Sequence, residues 1–236
     1  TNNFKQSFLT YQKLISIISY PENFKYKVEY FHKLIASSQI EKAKLFFDEL
    51  KKEDDEENGK HTEDLLYLEG TLNIELKEYI SAALNFEKCL NFNKNNSYVY
   101  SSLAVVFERQ NHYDKAIDYL KKSISLDSNN ARALSNLGII YSQLGNIKEG
   151  ISLLKNSLKI DPNNNEVKYI LGQLQVYNQE FQEGWKNFRS RWFYSKYQHK
   201  PFKSSKNLLS NISDKKSVFV WSEQGIGDQI MYGSMF

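Results

Sequence analysis

ARALSNLGIIYSQLGNIKEGISLLKNSLKIDPNN, from Ala131 to Asn164, decides the fold. It holds two stretches with apolar residues at helical spacing, parted by the turn formers Leu144-Gly145-Asn146 and closed by Asp161-Pro162-Asn163-Asn164. Moving back 34 residues gives Ser97 to Asn130, SYVYSSLAVVFERQNHYDKAIDYLKKSISLDSNN, with the same pattern. The matching pairs are Leu103/Leu137, Phe107/Tyr141, Leu120/Leu154, Ser123/Ser157 and Asp127/Asp161. A further step back supplies Gly70, Ala82, Phe86 and Cys89 in register, and a step forward supplies Leu171, Gly172, Gly184 and Phe188. Self-similarity at a fixed period of this length marks a stacked-repeat architecture.

The pattern has a physical basis. Small residues (Gly70, Ala104, Gly138 and Gly172, facing Ala82, Ala116 and Gly150) recur where two helices approach closely. Large ones (Phe86, Leu120, Leu154 and Phe188) recur where the second helix fills the gap. One helical hairpin cannot bury its apolar face, so neighbours stack into a solenoid. Pro162 cannot continue a helix, and Asn suits turns.

With these residues in hand, the chain resembles the tetratricopeptide repeat family over about Phe24 to Arg191. The resemblance implies an all-α, right-handed superhelical array of about five helix–turn–helix units, near 24–57, 63–96, 97–130, 131–164 and 165–194. The first unit is degenerate but keeps IEKAKLFFDEL, and an acidic run, Glu53 to Glu57, sits in the insertion before Glu63. Residues 1–23 contain an amphipathic stretch, Phe4 to Tyr20, expected to form a helix that caps the array.

In that family the first helices of the units line a concave face. The resemblance places Tyr67, Tyr98, Arg109, Arg132, Asn136, Tyr169 and Tyr177 there, as contacts for a protein or peptide ligand. Tyr offers large amphipathic contact area at low entropy cost. Repeats that hold chaperone tails use Lys and Asn where Tyr67, Ser101 and Ser135 stand, which disfavours that ligand. An asparagine ladder, as in protein O-GlcNAc transferases, is met by Asn136 and interrupted by Leu68, Ser102 and Ile170.

The C-terminal part reads differently. Residues 195–216 form a basic linker, rich in Lys, Ser and Asn with Pro201. Ser217-Val-Phe-Val-Trp221 is a β-favouring run. Ser222 to Asp228 is a glycine-rich turn, and Gln229 to Phe236 suits a helix start. The turn is neither a P-loop nor a dinucleotide fingerprint, since no Gly-Lys-Ser/Thr follows and Ile230 takes the third glycine's place. With GWxxFxxRW upstream, it resembles bacterial proteins in which tetratricopeptide repeats precede a glycosyltransferase-like domain related to the heptosyltransferases. Residues 217–236 are then the truncated start of a Rossmann-like domain. The resemblance implies that Asp228 is the catalytic base of the parent enzyme, with Gln224, Gly225 and Gly227 forming a nucleotide-phosphate loop and a nucleotide-sugar as partner of the full-length parent. Asp228 equally suits a helix N-cap. The chain alone, lacking a second Rossmann-like domain, is expected to be inactive. The alternative is a stand-alone adaptor with no associated enzyme.

Composition narrows the remaining classes. The net charge of +3 is small and argues against a nucleic-acid binder, which shows a clustered basic face. The Lys/Arg-rich stretch Lys186 to Lys216 and the acidic run are expected to be solvated surface. A single cysteine, Cys89, excludes an internal disulfide; it is expected to be a small packing residue. His32, His61, His112 and His199 lack metal-site spacing and are expected to be solvent or packing residues, so neither a metal nor a cofactor is expected. No apolar run reaches the roughly 18 residues of a membrane span. The N-terminus lacks the order of a secretory signal, and a cytoplasmic location is expected.

Overall fold

The computed structural model describes residues 24–56 and 58–193. The expected capping helix (1–23), the linker (195–216) and the strand–turn–helix start (217–236) lie outside the described residues.

The described chain is a series of ten α-helices: α1 Phe24–Ala36, α2 Ile40–Glu56, α3 Thr62–Glu75, α4 Tyr79–Phe92, α5 Ser97–Arg109, α6 Tyr113–Leu126, α7 Ala131–Gln143, α8 Ile147–Ile160, α9 Asn165–Tyr177 and α10 Phe181–Phe188. A 3-10 turn, Arg189–Phe193, follows. The helices pair as antiparallel hairpins (α1/α2 through α9/α10), and each pair stacks on the next. The odd-numbered helices also touch one another from unit to unit. They therefore form one continuous face, while the even-numbered helices form the other.

Each hairpin turns in the same way. A residue with positive φ follows the odd helix: Ser38 (57°), Lys77 (63°), Asn111 (61°), Gly145 (88°) and Gln179 (65°). The next N–H then reaches back to a carbonyl five residues earlier. His112 N donates to Phe107 O (2.9 Å), Asn146 N to Tyr141 O (2.8 Å) and Glu180 N to Gln175 O (2.8 Å). This is the left-handed closure of a helix C-terminus, which satisfies carbonyls the helix leaves open. Glycine fills the position only once.

The joints between units are also repeated. Asn96, Asn130 and Asn164 are N-caps, and their side-chain oxygens accept from Val99 N (3.3 Å), Ala133 N (3.0 Å) and Val167 N (3.1 Å). Just before them, Asn93, Asp127 and Asp161 each accept from the N–H two residues on. A small side chain in each of α4, α6 and α8 then ties back to the start of its partner. Ser123 Oγ donates to Ser97 O (2.8 Å), Ser157 Oγ to Ala131 O (2.8 Å), and Cys89 Sγ sits 3.6 Å from Glu63 O. Cys89 is fully buried, and burial pushes its thiol up to about 12.

The core lies between the helix layers, with Phe86, Leu120 and Leu154 completely buried at the gap-filling position. Backbone-to-backbone approach is tightest in the last unit, where a Cβ on Gly172 would run into the Phe188 backbone.

The joint between α2 and α3 departs from this pattern, and the acidic run is not uniformly solvated. Glu53 pairs with Lys27, which is buried. Asp54 is 2% exposed. Its side chain accepts from His61 N (2.9 Å) and its carbonyl from Gly59 N (2.8 Å), so it organises the longer connection. Asp55 and Glu56 do face solvent.

Candidate functional site

The face built by α1, α3, α5, α7 and α9 carries the residues expected to contact a partner. Its centre is Tyr67 on α3. The Tyr67 hydroxyl lies 3.1 Å from Ser102 Oγ on α5 and accepts from a guanidinium nitrogen of Arg132 on α7 at 3.0 Å. Ser102 Oγ donates its only proton to Tyr98 O (3.0 Å). Tyr67 must therefore donate to Ser102, and the bonds run one way: Arg132 to Tyr67 to Ser102 to the α5 backbone. This line skips a whole unit, joining α3 to α7 across the small side chains of α5.

A further residue joins it from α1. The His32 ring stands edge-on to Tyr67, with centroids 6.3 Å apart. Burial, then Arg132, hold the imidazole below its usual range, and Glu29 opposes them. His32 is therefore part of the face, whereas the sequence suggests only a solvent or packing role. The signal that finds it is the hairpin turn. Ser38 and Lys77 occupy the same positive-φ position 39 residues apart (77 − 38), so His32 matches Thr71 (71 − 39), which lies one turn beyond Tyr67 on α3 and bonds its carbonyl. The ordinary period of 34 misses it because the first joint is longer.

The other expected contacts divide. Tyr98 (55% exposed) and Tyr177 (75% exposed) are open to solvent, as is Arg109. Tyr169 is not part of the open surface. It is 5% exposed, its ring packs on Phe188 at 5.2 Å, and its hydroxyl accepts from Gln173 Nε2 (3.1 Å). Ser101, Ser102 and Ser135 are also buried. Ser101 and Ser135 bond carbonyls of their own helices, which leaves close contact between neighbouring units rather than a side-chain rim. Asn136 Nδ2 is buried with no hydrogen-bond partner. Arg132 is exposed and makes no ion pair among the described residues.

Among the described residues no group of His, Cys, Asp and Glu is arranged to hold a metal, and no helix is long and apolar enough to cross a membrane. Gln224, Gly225, Gly227 and Asp228 lie outside the described residues.

Comparison with known proteins bears on the array alone. The tetratricopeptide repeat family is matched over residues 107–174. A thermophilic tetratricopeptide protein of Thermus thermophilus is similar in structure, with a TM-score of 0.59 at 17% identity over 74% of this chain and 92% of that one. MamA of Desulfovibrio magneticus RS-1 gives a TM-score of 0.48 at 20% identity, covering 74% of this chain and 96% of its own. YrrB, described as a tetratricopeptide protein with an unusual peptide-binding site, gives 0.45 at 18% identity, covering 80% and 91%. No curated protein matches the chain. The helical array is thus a tetratricopeptide-type solenoid.

Proposed function

We propose that this solenoid is an interaction scaffold whose odd-helix face, from Tyr67 to Tyr177, docks a protein or peptide segment. The observation that carries this is the line joining Tyr67, Ser102 and Arg132, flanked by exposed Tyr98. It gives the face a fixed polar centre and an open aromatic beside it, the combination that hot spots use. Selection of displayed random peptides on the whole chain tests the reading. Binders that lose affinity on Tyr98→Ala support it, and failure to enrich any binder sinks it.

The finer reading is that the array is the partner- or acceptor-selecting arm of a bacterial, cytoplasmic glycosyltransferase. The support is the order GWxxFxxRW, basic linker, VWSEQGIGDQI. In that parent, the resemblance makes Asp228 the base that takes the proton of an attacking acceptor hydroxyl, and Gln224, Gly225 and Gly227 the phosphate loop. The gene beyond Phe236 tests this. About 250 further residues of alternating strand and helix support it, and an immediate stop leaves the adaptor reading. Binding of RNA with a steep salt dependence would overturn both in favour of a nucleic-acid role for the basic stretch.

A further inference from the structure

We propose that the odd-helix face carries a proton-sensitive tie, in which His32 on α1 and Arg132 on α7 share one phenol, Tyr67 on α3, and a proton taken up by His32 releases the guanidinium from that phenol. The groups that meet at this point come from four different helices. Tyr67 is fixed from below, because its own proton goes to Ser102, whose proton goes to Tyr98 O. The tyrosine oxygen is thereby left as an acceptor, and Arg132 takes it at 3.0 Å. The imidazole stands against the same ring.

The charged groups that act on His32 are Arg132 from α7 and Glu29 from its own helix, α1. Burial and Arg132 both disfavour the imidazolium, so near neutral pH the ring is uncharged and the guanidinium rests on Tyr67. Acidification places two cations around one phenol. Glu29 attracts the imidazolium, whereas Arg132 makes no ion pair among the described residues and its side chain is exposed. Arg132 is therefore the cation that leaves, and it swings into the open face. The face thus has two electrostatic forms: one with the guanidinium retracted onto Tyr67, the other with it presented to a partner. The tie needs no ligand, so it stands apart from the docking function proposed above.

The test follows both side chains by NMR in the whole chain, labelled at His and Arg, from about pH 7.5 to about pH 5. The expected result is a His32 midpoint below 6.5, moved upward by Arg132→Gln, with the through-space contact between the Arg132 guanidinium and the Tyr67 ring lost as His32 titrates. His32→Gln should keep that contact throughout, with unchanged circular dichroism confirming the fold. Because Arg132 is exposed, Arg132→Gln remains informative even where His32→Gln does not fold. A contact that survives His32 protonation, a midpoint indifferent to Arg132→Gln, or the same loss in His32→Gln would each overturn the proposal.

Discussion

The joint between α6 and α7 and the joint between α2 and α3 solve one problem in two ways. Both must turn the chain sharply and start a helix whose first N–H groups need acceptors. The later joint does so with one short side chain. Asn130, fully buried, caps Ala133 N and also donates to Ser97 Oγ (3.2 Å) and Ser123 Oγ (3.1 Å). The earlier joint uses a buried carboxylate, Asp54, to hold His61 N, with Phe24 stacked on the His61 ring at 3.8 Å. A joint built from one residue at a fixed offset can be copied, and Asn96 and Asn164 are its copies. A joint built from parts scattered over α1, α2 and the connection cannot.

Breaking these joints should separate them, as read by urea unfolding of the whole chain. Asn130→Ala removes a cap and the amide donor shared by two buried hydroxyls, Ser97 Oγ and Ser123 Oγ, an expected loss of about 2–3 kcal/mol. Asp54→Ala should cost about 1–2 kcal/mol and should speed the exchange of the His61 amide, since that N–H loses its carboxylate acceptor; an unchanged exchange rate would mean the connection is held by other contacts. Asn96→Ala and Asn164→Ala, at caps that are only half buried, should each cost about 1 kcal/mol. If all three asparagines cost the same, the buried Ser97–Asn130–Ser123 network contributes nothing beyond its cap. Lys77→Gly should stabilise by roughly 0.5 kcal/mol, because its backbone sits in the left-handed region at 63° where glycine is unstrained.

The smallest expected effect is one of pH, and it reads His32 on α1 together with Arg132 on α7. The folded state holds His32 below the ordinary imidazole value, while the unfolded chain titrates near 6.5. As pH falls below 6.5 the unfolded state takes up the proton first, so stability declines in that window and is fully present above it. The comparison is wild type against His32→Gln, whose pH profile should be flatter.

These contrasts also explain what was legible. The solenoid and its register stand in the sequence because each unit repeats the same residues for the same reason: Gly138 and Ala104 where helices close, Leu120 and Leu154 where they fill. The asparagines are visible there as turn formers. Which of each pair caps the next helix depends on backbone direction, which composition does not carry. Asp54 and His32 are hidden for a related cause. Both lie in the first unit, ahead of the joint whose length breaks the period, so a register built on the period passes over them. Tyr169 shows the opposite error. Its position is right, but Phe188 and the close-packed α10 cover it, and only packing reveals that.

The repeated asparagine makes the later units interchangeable parts. Asn96 and Asn130 present the same acceptor to the same place in the next helix, so residues 97–130 are a cassette. With the cassette removed, Asn96 would stand before Ala131 as Asn130 does now, and Ser157 would keep its bond to Ala131 O. Array length is thus editable in steps of one unit from α4 onward, whereas the first hairpin, tied by Asp54, His61 and Phe24, is a bespoke end-piece that must stay with its neighbour.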